Sequence, residues 1–192
     1  LVQVFAVIFF TTAMGGLIFQ STTFSLPKIL DERLNDITTN ATQVGAWAFM
    51  VFTLAAFAQL VVGYLVDRHS VKLVFSIVAA GQVVLFALMV NLNGIAALIV
   101  SVGFMLMVFG QIPINDVLVG RVAKSEWRSR AFATRSFITF TVMATSIPLI
   151  AWLHATWGFP ALFIVLCICA AFIFSAVIML PKIDTVLSVE TN

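Results

Sequence analysis

The stretch Gly63-Tyr64-Leu65-Val66-Asp67-Arg68-His69-Ser70-Val71-Lys72 is a short charged segment that separates two long apolar runs. The runs cover about residues 43–65 and 71–91. A helix that crosses the hydrocarbon core of a bilayer needs about 20 apolar residues, and both runs reach that length. The charged segment is therefore expected to be a loop that joins two spanning helices at one face of a membrane.

The composition of the whole chain agrees with this local pattern. Hydrophobic residues make up 62% of the 192 residues, charged residues make up only 9%, and the mean hydropathy is +1.14. A water-soluble domain carries about 25% charged residues, because its surface must face water. These values exclude a soluble globular domain and favour a protein whose outer surface faces lipid.

Six apolar runs are long enough to span a bilayer. They cover about residues 2–23, 43–65, 71–91, 94–118, 132–153 and 159–180. The segment Trp157-Gly158-Phe159-Pro160 separates the last two, since proline suits the first turn of a helix and not its interior. We therefore expect an all-α polytopic membrane protein, with a six-helix bundle over residues 1–182 and a cytoplasmic tail over residues 183–192.

Lysine and arginine residues predict the orientation of this bundle. If six helices alternate in direction, eight of the ten basic residues lie on one side, and only Lys28 and Arg33 lie on the other. Cytoplasmic loops carry an excess of Lys and Arg. Both chain ends and the basic loops are therefore predicted to be cytoplasmic. The segment after Pro27 is predicted to be external and to continue the first helix beyond a bend.

The first apolar run begins at Leu1, without a basic segment before it or a small-residue cleavage site behind it. This pattern favours a spanning helix over a signal peptide. A chain that opens inside a span is expected to belong to a longer protein.

The sequence contains no catalytic or metal-binding motif. Cys167 and Cys169 lie two apart in one apolar run and are interpreted as packing residues, and the two histidines, His69 and His154, are far apart. The net charge of +2 is too small to suggest a nucleic-acid partner. No cofactor, metal or catalytic residue is expected, which disfavours a membrane-embedded enzyme.

Uncharged polar residues are concentrated in the first, second, fourth and fifth runs. Such side chains prefer a protein interior or a water-filled cavity at mid-membrane, so these four helices are expected to line a path and the sixth to face lipid. The candidate path residues are Gln20, Gln59, Gln111, Asn115 and Thr145. Gln20 and Gln111 rank highest, because an amide both donates and accepts hydrogen bonds. The alternative for each residue is a bond to its own backbone or to a neighbouring helix.

Small residues are expected to permit close packing of the helices. The glycines predicted to do so are Gly15, Gly16, Gly63, Gly81, Gly103 and Gly110.

The segment from Gly63 to Lys72 resembles the Gly-x-x-x-Asp-Arg-x-Gly-Arg-Arg/Lys signature of the major facilitator superfamily. The matching residues are Gly63, Asp67, Arg68 and Lys72. Ser70 replaces the second glycine and Val71 replaces one basic residue. The signature recurs in weaker form in the second half of these twelve-helix transporters, and such departures are typical of that copy.

The resemblance implies the C-terminal six-helix half of a secondary carrier. A small solute would bind at the midplane between this half and a missing N-terminal half, and transport would follow from alternating access. The partners implied are the solute, the missing half and a lipid bilayer, and similarity to bacterial members implies a bacterial inner membrane. The alternative is a complete six-helix protein that dimerises to form a carrier or pore.

The resemblance also implies a gate at the cytoplasmic side. Asp67 is expected to cap the start of the fifth helix, where the helix dipole favours an anion, and Gly63 to let the second helix approach its neighbour. Arg68 and Lys72 are expected to pair with Asp116, the carboxylate within a predicted span. The alternative is a solvated loop whose charges only set the topology.

Overall fold

The computed structural model describes residues 2–122 and 127–179 of the chain, which form a bundle of α-helices. The helices are α1 (Val2–Arg33), α2 (Ala41–Arg68), α3 (Val71–Met89), α4 (Gly94–Val122) and α5 (Arg128–Ile178). All five are long and apolar enough to cross a membrane. Helices satisfy their backbone hydrogen bonds internally, which lipid requires. The predicted tail over residues 183–192 lies outside the described residues.

Side chains in the connecting segments determine where two of the helices begin. Asn40 accepts a hydrogen bond from the backbone N–H of Thr42 at 2.9 Å and starts α2. Ser70 accepts a hydrogen bond from the N–H of Leu73 at 3.3 Å and starts α3. Serine and asparagine are strong N-cap residues, because their oxygen satisfies a backbone donor that the helix cannot. The serine that departs from the signature glycine therefore caps a helix.

The first helix is longer than the predicted span over residues 2–23. It continues through Pro27 to Arg33, as expected for the segment after this proline. Its 32 residues extend over about 48 Å, which exceeds the hydrocarbon core of about 30 Å. The last turns, which include the ion pair between Lys28 and Asp31 at 2.9 Å, therefore lie beyond an apolar core.

The longest helix, α5, is broken at Gly158. This residue has φ 74° and ψ −173°, which lie outside the helical region, in a conformation that glycine alone adopts without strain. The break coincides with the predicted boundary between the fifth and sixth spans. A straight helix of 51 residues would be about 76 Å long, more than twice the apolar thickness of a bilayer.

The part of α5 before Gly158 packs along α1. The Cβ position of Gly16 lies 3.6 Å from the backbone oxygen of Thr139. Further along both helices, His154 Nε2 lies 2.8 Å from Glu32 Oε1. Since residue numbers increase together in these contacts, α1 and this part of α5 run in the same direction.

The part of α5 after Gly158 packs along α3 in the opposite sense. The thiol of Cys167 donates to the backbone oxygen of Val83 at 3.5 Å. The ammonium group of Lys72, at the start of α3, donates to the backbone oxygen of Ile178 at 2.6 Å. The end of α5 therefore returns to the beginning of α3.

The ends of α1 and α3 lie together. The guanidinium group of Arg33 donates to the backbone oxygen of Val90 and to Asn93 Oδ1, both at 3.1 Å. The helices α1 and α3 therefore run in the same direction. Because the first part of α5 runs parallel to α1 and the second part runs antiparallel to α3, the two parts of α5 run in opposite directions. Arg128 consequently lies at the same end of the bundle as Ile178. We call this the basic end and the end that contains Gly158 the opposite end.

Aromatic rings occupy the interior between α3, α4 and the second part of α5. Phe86 and Phe104 have ring centroids 5.4 Å apart, and Phe104 and Phe163 have centroids 5.9 Å apart. By contrast, Phe49 and Phe137 are more than 70% exposed on the outer surface. Large apolar side chains with such exposure suit contact with lipid rather than with water.

Five of the six glycines predicted at close contacts lie against another helix or its side chains. Among the contacts with apolar side chains, Gly110 makes the tightest, because its Cβ position lies 2.8 Å from a methyl carbon of Val62. The predicted close contact of Gly63 is not made within the described bundle, because no atom of residues 2–122 and 127–179 lies within 4 Å of its Cβ position. The adjacent Val62 makes the contact between α2 and α4, and Gly63 points away from it.

Candidate functional site

A cavity of about 200 Å³ lies between α1, α4 and the first part of α5. Its polar lining residues are Thr12, Gln111, Asn115, Arg135 and Thr139. Gln111 lies about 16 Å from the end of α4 at Val122, because an α-helix rises 1.5 Å per residue. The cavity is therefore near the middle of the bundle, extending toward the basic end, and a polar lining at this depth is a feature of functional sites in membrane proteins.

A chain of hydrogen bonds from α3 orients the amide of Gln111. Gln82 is buried and its Nε2 donates to the backbone oxygen of Met107 at 3.3 Å. The same Nε2 donates to Gln111 Oε1 at 2.9 Å. Since a backbone oxygen can only accept, the amide nitrogen of Gln82 must face Met107, and the oxygen of Gln111 must face Gln82.

The nitrogen of the Gln111 amide consequently points toward α1. It lies 2.6 Å from the Cβ position of Gly15, where a side chain would collide with it. Asn115 Nδ2 lies 3.7 Å from the same position. Within residues 2–122 and 127–179, Gln111 Nε2 has no hydrogen-bond partner, although Gln111 is only 3% exposed. The absence of a side chain at Gly15 thus makes room for two amides at the wall of the cavity.

An ion pair borders the cavity on the side of the basic end. Arg135 of α5 donates to Asp116 Oδ1 of α4. The side chain of Arg135 is 16% exposed and lines the cavity, whereas that of Asp116 is 50% exposed. The pair joins the end of α4 to the beginning of α5. The predicted pairing of Asp116 with Arg68 or Lys72 is wrong, because α4 places this carboxylate next to α5.

The residues of the signature segment make other contacts. The guanidinium carbon of Arg68 lies 4.6 Å from the ring centroid of Tyr64, a cation–π contact. Lys72 binds the end of α5, as described above. The predicted cap of Asp67 on α5 is wrong in this structure. Asp67 is exposed, and α5 begins after Trp127 without a side-chain cap.

The five predicted path residues separate into two groups. Gln111 and Asn115 line the cavity together. Gln20 and Gln59 are partly buried and lie outside its lining, and Thr145 is exposed, with its hydroxyl donating to the backbone oxygen of Val142 at 2.8 Å. Thr145 thus follows the alternative interpretation, a bond to its own helix.

Two important residues at this site, Arg135 and Gln82, were not predicted from the sequence. Arg135 is one of the eight basic residues that the sequence assigns to the cytoplasmic side, although it lies inside the predicted span over residues 132–153. A basic residue within a span was the signal that could have identified it. Gln82 lies on a helix with few polar residues, and only the packing of α3 on α4 brings it to Gln111.

The remaining wall of the cavity is apolar. It is formed by Phe19, Val108, Ile112 and Met143. The ring of Phe19 lies 5.2 Å from that of Phe109, which in turn lies 6.4 Å from Phe52 of α2. These rings connect α1, α4 and α2 on the side of the cavity away from Arg135. The second helix therefore approaches the site with an aromatic side chain rather than with Gln59.

A second cavity, of about 560 Å³, lies between α2, α3 and α4. It is lined mainly by aliphatic side chains, together with one phenylalanine, one alanine, one methionine and His69. This lining suits a hydrocarbon chain better than a polar ligand. Among the described residues, no group of three or more His, Cys, Asp or Glu side chains is arranged to hold a metal ion.

Comparison with known proteins identifies one family. The model of the Major Facilitator Superfamily matches residues 6–190, nearly the whole chain. No curated protein sequence matches the chain significantly.

Proposed function

The chain belongs to the major facilitator superfamily of membrane transporters, which are not enzymes, and on this premise we propose that it is the C-terminal six-helix half of a secondary carrier. The solute is small and binds in the cavity between α1, α4 and α5, next to Gln111 and Asn115. A second six-helix half covers this face, and the two halves rock to expose the cavity to each side of the membrane in turn.

The observation that carries the proposal is the polar cavity at mid-depth. Buried polar groups are costly in a membrane and are retained where they serve a path. Hydroxyl-bearing residues on the outside of α5, including Thr134 and Ser136, are exposed in this chain, and they suit a protein neighbour better than lipid.

The proposed topology has six crossings. The two antiparallel parts of α5 each have a length suited to one crossing, so α5 accounts for two. The basic end lies in the cytoplasm in this proposal, because Lys and Arg are in excess there. Both chain ends are then cytoplasmic, and the bundle lies in the inner membrane of a bacterial cell.

We assign a gate role to the signature residues and Asp116. Lys72 ties the start of α3 to the end of α5, and the Asp116–Arg135 pair ties α4 to the start of α5. Gly63, Asp67 and Arg68 remain at the surface of the basic end, where a second half can meet them. In this proposal, the contacts within the bundle and the contacts with the second half together hold the cytoplasmic side closed.

The experiment uses a full-length protein without Cys167 and Cys169, reconstituted in vesicles, with one cysteine in place of Met143. A membrane-impermeant maleimide should label this cysteine from either side, because the cavity opens to each side in turn. A cysteine in place of the outward-facing Leu60 is the control and should not react. Labelling of Met143→Cys from only one side would contradict alternating access.

A further inference from the structure

The polar wall of the cavity presents more donors than acceptors. Arg135 carries five N–H donors and no acceptor. The oxygen of Gln111 accepts from Gln82, and its amide nitrogen is a donor that is buried beside Gly15 with no partner among the described residues. The hydroxyl of Thr12 is buried and has no partner among the described residues, and it can donate as well. A ligand that satisfies this wall must supply several acceptor atoms.

The charge at the wall favours an anion as that ligand. Asp116 binds one nitrogen of Arg135 from outside the cavity, and the planar guanidinium fork has further N–H groups for a second carboxylate. An anion in the cavity can share Arg135 with Asp116 or replace it.

The opposite wall restricts the rest of the ligand. Phe19, Val108, Ile112 and Met143 offer only apolar surface, and the volume of about 200 Å³ admits a small molecule. A ligand that fits both walls is amphipathic, with an acidic group at one end and a small apolar body at the other.

We propose that this cavity binds small organic carboxylates, with the carboxylate against Arg135, Gln111 and Asn115 and the apolar body against Phe19. The inference rests on the proposed function, because it names the solute class of the same site. Arg135 is then a binding residue, and Gln82 is a positioning residue that turns the Gln111 amide toward the solute.

Thermal unfolding of the purified full-length protein in detergent tests the proposal. The probes are benzoate and its neutral isostere benzamide, which differ in charge and not in shape. Benzoate should raise the unfolding temperature with a saturable concentration dependence, and benzamide should not. Equal effects of the two probes, or no effect of benzoate, would overturn the carboxylate assignment. So would stabilisation by inorganic phosphate without stabilisation by benzoate.

Two arginine variants test where the carboxylate of benzoate binds. Arg135→Gln should weaken benzoate binding by about tenfold or more, since hydrogen bonds to charged groups are among the strongest. Arg130→Gln is the matched control, because Arg130 stacks on Trp127 outside the cavity and its loss should leave the affinity unchanged. Equal affinity in the wild type and in Arg135→Gln would refute the site.

Asp116→Asn should change the affinity for benzoate in the opposite direction. It keeps an acceptor for Arg135 and removes the competing charge, so benzoate should bind about two- to fivefold more tightly. Weaker binding would mean that Asp116 serves a cationic group of the solute, and the carboxylate proposal would fail. This variant decides the question even if Arg135→Gln does not fold.

The two experiments separate failure of the carboxylate proposal from failure of the proposed transport function. If Met143→Cys is labelled from both sides but benzoate does not bind, alternating access stands and only the solute class is wrong. If benzoate binds but the labelling is one-sided, the cavity is a binding site without the transport cycle.

Discussion

Gly15 shows how one residue without a side chain places a polar group. The chain of bonds from Met107 through Gln82 leaves Gln111 Nε2 against the bare backbone of α1. Any larger residue at position 15 would displace that amide and strain its bond to Gln82. A small residue here therefore serves the orientation of a site, in addition to the close packing of helices.

We expect Gly15→Ala to lower the free energy of unfolding by about 1 kcal/mol, because the added methyl group displaces the Gln111 amide and strains its hydrogen bond to Gln82. Gly120→Ala is the control, since its Cβ position has no neighbour within 4 Å in the described part of the chain and alanine favours a helix. The comparison is made by denaturant unfolding in detergent. Equal stability of the two variants would show that Gln111 moves aside without cost.

Asp67 is the signature residue whose role is still a prediction. In the proposal Asp67 binds the second half of the carrier and not α5. Asp67→Asn keeps a carbonyl acceptor for that contact and removes the charge. A charge-assisted hydrogen bond exceeds a neutral one by about 1 kcal/mol, which corresponds to about a fivefold shift between two conformations. Labelling of Met143→Cys from the cytoplasmic side should therefore rise by up to about fivefold.

The control for this substitution is Asp36→Asn, an exposed carboxylate at the opposite end of the bundle. It should leave cytoplasmic labelling unchanged. If Asp67→Asn behaves in the same way, Asp67 only contributes to topology and the gate assignment fails.

At the scale of the element, α5 illustrates how one backbone conformation divides a helix. Gly158 has a positive φ, and Pro160 follows within the first turn of the next segment, where its missing N–H costs nothing. The contacts of the two segments with α1 and α3 run in opposite directions, as expected for a hairpin. The turn therefore determines which parts of the bundle α5 can reach.

Gly158→Ala should destabilise the protein by about 1–3 kcal/mol, because a residue with a Cβ atom is strained in this region of φ and ψ. Gly45→Ala serves as the control: its surroundings are open and its φ is not positive, so alanine should be neutral or slightly stabilising. Thermal unfolding of both variants in the same detergent measures the difference. A neutral Gly158→Ala would imply that the turn adopts another conformation.

At the scale of the whole molecule, the packing order puts the connection between the two parts of α5 beside the end of α1. His154 contacts Glu32 there, and the ring of Phe159 lies 4.3 Å from that of His154. A bundle with its basic end in the cytoplasm must therefore expose this connection on the outside of the cell.

Single cysteines in a protein lacking Cys167 and Cys169 test this arrangement. Asn35→Cys and Trp157→Cys should react with an impermeant maleimide in intact cells, whereas His69→Cys should react only after the membrane is opened. All three positions are exposed in the folded chain. Reaction of Trp157→Cys from the cytoplasm would mean that α5 does not return across the membrane at Gly158.

The sequence by itself determined the class of the protein and its approximate elements. Composition predicts a membrane protein because the cost of burying charge in lipid acts on every residue independently of the fold. The break near Gly158 and Pro160 was predictable too, since backbone restrictions of these residues are local. The signature segment predicted the family, which the match over residues 6–190 confirms.

Only the tertiary structure decided which polar residues meet. Gln82 and Gln111 lie 29 positions apart, and Asp116 and Arg135 lie 19 apart. Their contacts depend on the rotation of each helix about its axis, which helix packing sets. Apolar runs that are hydrophobic on all sides give little information about that rotation. For this reason the sequence predicted the helices and two cavity residues, but not the ion pair or the orientation of the amides.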